Sequence, residues 1–145
     1  MIAPPPLIYL VPLGLGLLLH RWRPVGLLPE RLALPVGVAL LLLGLVGLPA
    51  LRRFIRAGTR PEPWKPTTAL VTDGPYRFSR NPMYLGFTFI YLGVACWVNT
   101  AWPVALLPLV LLVMQYGVIL REEAYLERKF GEEYRAFRRR VRRWL

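Results

Sequence analysis

The stretch Met83–Leu120 reads MYLGFTFIYLGVACWVNTAWPVALLPLVLLVMQYGVIL and contains no Lys, Arg, Asp or Glu. A helix needs about 20 mostly apolar residues to cross the hydrocarbon layer of a bilayer, so the stretch holds two crossings. One runs from Met83 to Val98 and the other from Ala101 to Leu120. Only Asn99 and Thr100 join them, which is enough to turn the chain back and nothing more. The two segments are therefore antiparallel neighbours. Whatever precedes Met83 must lie on the same side of the membrane as whatever follows Leu120.

Working outward, two further charge-free blocks precede this hairpin, from about Pro4 to Leu19 and from Leu32 to Leu51. The first has no basic residue ahead of it and no small-x-small site before Arg21, so it reads as a retained helix and not a cleaved signal. The predicted fold is all-α: a polytopic membrane bundle of about four helices forming one domain over residues 1–145. With 145 residues there is no room for a second folded module.

The chain is strongly basic, with 19 Lys and Arg against 8 Asp and Glu, a net charge of +11. The positive residues are unevenly placed. Arg21, Arg23 and Arg31 lie between the first two spans, seven lie between Arg52 and Arg80, and nine follow from Arg121 onward. The positive-inside bias puts the last two groups, and with four spans both termini, in the cytoplasm. These charges flank spanning helices and no nucleic-acid module accompanies them, so nucleic acid is not an expected partner. Membrane lipids are.

Single residues add little. Cys96, the one cysteine, sits inside the third span as a small core residue, and His20 lies at a membrane boundary without partners for a metal. Gly37, Gly44 and Gly47 in the second span, and Gly86 and Gly93 in the third, recur at helical spacing and predict close backbone approach. Pro108 predicts a bend in the fourth span. From Glu122 to Arg143 a basic amphipathic helix is expected. Leu126, Phe130, Tyr134, Phe137 and Val141 make its apolar stripe, suited to an anionic membrane surface or to capping the bundle.

The chemistry is expected between the second and third spans. Residues 52–82 form a connection too long to be idle, stiffened by Pro61, Pro63, Pro66 and Pro75 and carrying Trp64 and Tyr76. The plain alternative is disorder. Against it stands the end of the strip, where Thr68-Ala69-Leu70-Val71-Thr72-Asp73-Gly74-Pro75-Tyr76 leads through Arg80-Asn81-Pro82-Met83-Tyr84-Leu85-Gly86 into a helix.

Two blocks carry a resemblance. The first pairs Leu70-Val71-Thr72-Asp73-Gly74-Pro75-Tyr76 with Arg80-Asn81-Pro82-Met83-Tyr84-Leu85-Gly86, similar to L-V-x-x-G-x-Y and R-[HN]-P-x-Y-x-G. The second is Glu122-Glu123 with Leu126, then Phe130-Gly131-Glu132-Glu133-Tyr134 and Val141, similar to E-E-x-x-L-x-x-x-F-G-x-x-Y. In both the chain resembles the isoprenylcysteine carboxyl methyltransferase and phospholipid methyltransferase family of membrane enzymes. The resemblance implies an S-adenosylmethionine-dependent methyltransferase whose donor, left as S-adenosylhomocysteine, sits at the membrane–cytosol boundary in residues 66–86.

Carried over by position, Thr68, Ala69, Leu70, Val71, Tyr76, Arg80, Asn81, Pro82, Met83, Tyr84 and Glu122 would bind the donor. Glu122 and Arg121 would serve the catalytic step. An acid such as Glu122 suits the positive charges of the donor, Arg80 its carboxylate, and the rings of Tyr76 and Tyr84 its sulfonium or adenine. Methyl transfer is an in-line displacement, so alignment and exclusion of water do most of the work. A lipophilic acceptor is expected, with a carboxylate ahead of an amine, because a carboxylate needs no base and no histidine lies near. Asn81 stands where many members have histidine, and Val118 where eukaryotic members have arginine. A non-enzymatic membrane scaffold using its basic tail on lipid is the competing expectation.

Overall fold

The computed structural model describes residues 2–59 and 67–145. Pro61, Pro63, Trp64 and Pro66, expected to stiffen the long connection, lie outside the described residues. Every element described is helical, and no strand occurs among the described residues.

Helix α1 (Pro5–Trp22) opens the chain, followed by α2 (Glu30–Gly44) and α3 (Gly47–Arg56). A short 3-10 turn at Gly74–Arg77 precedes α4 (Pro82–Val98). Then come α5 (Trp102–Met114), a π-turn at Gln115–Ile119, α6 (Leu120–Phe130) and α7 (Glu132–Arg140). The continuous helical stretches Glu30–Arg56 and Trp102–Phe130 are long and apolar enough to cross a membrane. Helix α4 is apolar but shorter, at 17 residues.

Two expected boundaries are corrected. The block from Leu32 to Leu51 is not one regular helix, because the ladder tightens to i−3 bonds at Leu45, Val46 and Leu48. Pro49 explains this. It has no N–H for the carbonyl of Leu45, which the amide of Leu48 takes instead at 2.9 Å. The expected tail helix over 122–143 is broken at Gly131, whose φ of +56° suits glycine alone. The break folds α7 back, so that Tyr134, Phe137 and Val141 are buried with Ala50, Val71 and Tyr76 in a cluster at one end of the bundle. The stripe caps the bundle and does not lie open for a membrane surface.

Helices α2 and α4 pack backbone to backbone through their glycines. A Cβ on Gly86 would meet the carbonyl oxygen of Gly44 at 2.9 Å, and one on Gly37 would meet the backbone nitrogen of Trp97 at 2.7 Å. Gly16 on α1 likewise lies against Pro103 of α5. Inside, Tyr9, Tyr84, Tyr91, Val110, Met114 and Ile119 form the main core. Outside, Leu10, Val11, Leu18, Leu42, Leu109 and Leu112 are exposed, an apolar surface that water penalises and lipid does not.

The two ends of the bundle are tied by polar contacts. At one end Asn99, in the left-handed conformation with φ 58°, accepts from the amides of Leu27 and Leu28 at 2.9 and 2.8 Å and donates to the Leu28 carbonyl. This joins the turn between α4 and α5 to the loop between α1 and α2. At the other end the amide of Arg80 donates to the Arg142 carbonyl at 2.9 Å, joining the start of α4 to the tail.

Gly86→Ala should therefore destabilise the protein by about 1–3 kcal/mol, because the obstacle is backbone and cannot swing aside. Gly14→Ala, where a Cβ meets nothing within 4 Å, should not. Thermal unfolding of both variants in detergent checks this; equal midpoints would remove the close α2–α4 contact from the account.

Candidate functional site

Residues 67–81 run as a strap from the end of α3 to the start of α4. Its first residues are pinned to α3's end: the amide of Thr68 donates to the Thr59 hydroxyl at 2.9 Å, and the Thr68 hydroxyl to the Gly58 carbonyl at 3.2 Å. Farther along, Arg53 pairs with Asp73 at 2.6 Å on the exposed side. Gly74 follows with φ +62°, where a Cβ would also strike the Arg53 side chain at 2.9 Å. The 3-10 turn then directs Tyr76 inward, 5% exposed, with its ring 5.5 Å from that of Phe54. Asn81 stands at the N-cap position of α4 without a side-chain capping bond, and Pro82 occupies the first turn, where a missing N–H does no harm.

From the other side the π-turn at Gln115–Ile119 inserts a wide turn just ahead of α6 and sets the rotation of Glu122 and Glu123. The strap, the start of α4, α6 and α7 line a cleft that is partly open to solvent.

Most residues singled out in the sequence line this cleft. Ala69, Leu70, Val71 and Tyr76 come from the strap, Arg80, Asn81, Met83 and Tyr84 from the start of α4, and Glu122 from α6. Three do not line it. Thr68 anchors the strap, Pro82 is wholly buried in the helix start, and Arg121 is exposed, one helical step of about 100° round from Glu122. The cleft also takes in Phe54, Thr67, Glu123, Tyr125, Leu126, Tyr134 and Phe137. Of these, Leu126, Tyr134 and Phe137 were visible as apolar stripe positions. Phe54 and Tyr125 carried no sequence signal, since only tertiary folding brings them in.

The two glutamates differ sharply. Glu122 accepts a hydrogen bond from the Tyr84 hydroxyl at 2.9 Å, and no cation among the described residues is within ion-pair distance. Glu123, 8% exposed, is held by Arg143 through two bonds of 2.8 and 2.9 Å and by Arg80 at 3.1 Å. Hydrogen bonds to Glu123 hold the Arg143 guanidinium above its ordinary range. Arg80 also donates to the Tyr134 hydroxyl at 3.3 Å, while its Nε is buried without a partner. The side-chain amide of Asn81 donates to the Arg143 carbonyl at 3.0 Å.

Burial, and next the charge of Glu122, pushes the Tyr76 hydroxyl well up. Burial, then Glu123, does the same for Tyr134. Both phenols therefore keep their protons near neutral pH and serve as hydrogen-bond donors and aromatic faces. Asp73 is exposed and outside the cleft. The arrangement suits a guest carrying both signs of charge: among the described residues, a carboxylate with no cation at ion-pair distance, aromatic faces, and one guanidinium N–H without a partner. No group of residues among those described is arranged to hold a metal ion.

A Haemophilus influenzae chain described only as an uncharacterized protein is 43% identical over 63 residues, which is 43% of this chain and 100% of that one. The protein-S-isoprenylcysteine O-methyltransferase of Schizosaccharomyces pombe is 39% identical over 72 residues, 50% of this chain but 30% of that protein. No solved structure matches. The phospholipid methyltransferase family matches residues 32–133, a span that contains the strap, α4, the cleft's glutamates and the start of α7. That match covers well over half of the chain, and the chain belongs to the phospholipid methyltransferase family.

Proposed function

We propose that this protein is a multi-pass membrane methyltransferase that binds S-adenosylmethionine in the cleft beneath the strap and methylates a lipophilic acceptor. The family implies a methyltransferase with that donor. The observation that carries the reading to the cleft is the convergence there of both sequence blocks, joined by the Tyr84–Glu122 hydrogen bond.

When bound, the donor supplies an electrophilic methyl group on a sulfonium. Glu122, without a cationic partner among the described residues, offsets positive charge on the guest. Tyr84 orients that carboxylate. Arg80 Nε offers an N–H to an acceptor atom such as the donor's carboxylate. Tyr76 and Phe54 wall off water on the strap side, so that alignment in a dry site does the catalytic work. The acceptor reaches the cleft from the apolar bundle. A carboxylate acceptor is the sequence-based expectation, yet Arg80, the one Arg or Lys among the described residues that line the cleft, is already paired with Glu123. This favours a nucleophile that arrives neutral.

The proposed topology has α1, α2–α3, α4 and α5–α6 as four crossings, with the cleft end in the cytoplasm. Its support is the pairing of alternate connections at opposite ends of the bundle and the concentration of Lys and Arg at the cleft end.

Three outcomes are expected. Calorimetric titration of the detergent-solubilised protein with S-adenosylmethionine or its demethylated product should give saturable binding; none at millimolar concentration would sink the donor assignment. Glu122→Gln should weaken that binding at least about tenfold with helix content unchanged, since a buried charge contact is worth more than 1.4 kcal/mol. Arg128→Ala should leave it alone, and parent-like affinity of Glu122→Gln would remove Glu122 from the donor site. For topology, single cysteines replacing Gly26 or Arg139 in a Cys96→Ser background should differ in intact cells. An impermeant maleimide should label position 26 and spare 139, and the reverse pattern would invert the orientation.

A further inference from the structure

Glu123 sits between two arginines that engage it differently. Arg143 reaches it from the tail as a fork, with Nε on Oε1 at 2.8 Å and Nη2 on Oε2 at 2.9 Å. Arg80 reaches Oε1 alone, through Nη1 at 3.1 Å, and shares that nitrogen with the Tyr134 hydroxyl at 3.3 Å. A guanidinium beside a carboxylate ordinarily pairs as a two-bond fork. Arg80 does not, because Arg143 holds both oxygens. Its Nε is left buried and unpartnered as a result.

The tail backbone acts on the same segment. The Arg142 carbonyl accepts from the amide of Arg80, and the Arg143 carbonyl accepts from the Ser79 hydroxyl at 3.3 Å and from the Asn81 side-chain amide at 3.0 Å. Three successive residues at the foot of α4 are thus fixed by two residues of the tail.

We infer that Arg143 is a positioning residue for the methyl-donor site. By filling both oxygens of Glu123 it keeps Arg80 out of a fork with that glutamate, so the N–H of the buried Arg80 Nε stays uncommitted beside the cleft for an acceptor atom of the donor. The inference rests on the reading of the cleft as the donor site. It separates charge from geometry, since a lysine at 143 keeps the charge but is a point donor that cannot fill both oxygens at once. Arg80 would then swing into the fork and withdraw its Nε.

The test compares Arg143→Lys, Arg143→Ala and the surface control Arg139→Ala in the full chain, titrated with the demethylated product of the donor. Both Arg143 variants should bind about tenfold more weakly, the loss of one charge-assisted hydrogen bond. The control should match the parent. Guanidinium at tens of millimolar, but not equal sodium chloride, should restore Arg143→Ala, because the Arg143 side chain is 32% exposed and its site can be reached. A purely structural role for Arg143 would show no such rescue. Parent-like binding by Arg143→Lys, or failure of guanidinium to restore the alanine variant, overturns the inference. Hydrogen exchange gives a readout without donor: amides of residues 79–84 should exchange faster in Arg143→Ala while those of 90–97 do not change. Unchanged exchange at 79–84 overturns the brace itself. Should the parent bind no donor, the donor role falls with the cleft reading, and exchange alone decides whether Arg143 sets the Arg80 segment.

Discussion

A carboxylate taken out of water is stable only with positive charge and hydrogen bonds against it, and Glu123 is such a group. Its partners come from two places distant in the chain: Arg80 ahead of α4 and Arg143 beyond α7. Satisfying this one charge therefore fixes where the strap ends, how α6 is rotated and where the tail lies. The neighbouring Glu122 has the opposite character. It is turned to the cleft, held by the Tyr84 hydroxyl and without a cation among the described residues. One glutamate is locked into the wall and its neighbour faces the cleft, a division set by a single helical step and by the π-turn that precedes it.

The bundle makes this possible by holding α4 rigidly. Gly86 and Gly93 let α4 meet α2 at backbone distance, so the foot of α4, with Asn81, Met83 and Tyr84, is positioned by main-chain contact and not by adjustable side chains. Tyr84 then belongs to both worlds: its ring packs in the apolar core near Phe87, while its hydroxyl reaches Glu122. On the proposed function, donor and acceptor meet where those two environments meet.

Much of this was legible in the sequence because the signals were local. The charge-free run Met83–Leu120 with its two-residue turn fixes an antiparallel pair, and the glycine spacing anticipates the α2–α4 contact. Nine of the donor-binding residues carried over from the resemblance line the cleft, Ala69 and Glu122 among them. Pro49 and Gly131 were also in plain view. Pro49 tightens and Gly131 breaks a helix that apolar periodicity alone would run straight through, and the fold-back at Gly131 decides between the two expected uses of the stripe in favour of the cap. What could not be read was the pairing of residues far apart in sequence. Nothing in the order of residues says that Arg143 will fork onto Glu123, that Arg80 is thereby left with a free Nε, or that Phe54 joins Tyr76.

The central claim is that the donor occupies the cleft between the strap and α6. Photo-crosslinking of the membrane-embedded protein with methyl-labelled S-adenosylmethionine, followed by peptide mapping, tests it most directly. Label should fall within residues 67–84 or 122–137 and be displaced by excess demethylated product. Label confined to residues 5–44, or label that the product does not displace, would contradict the account.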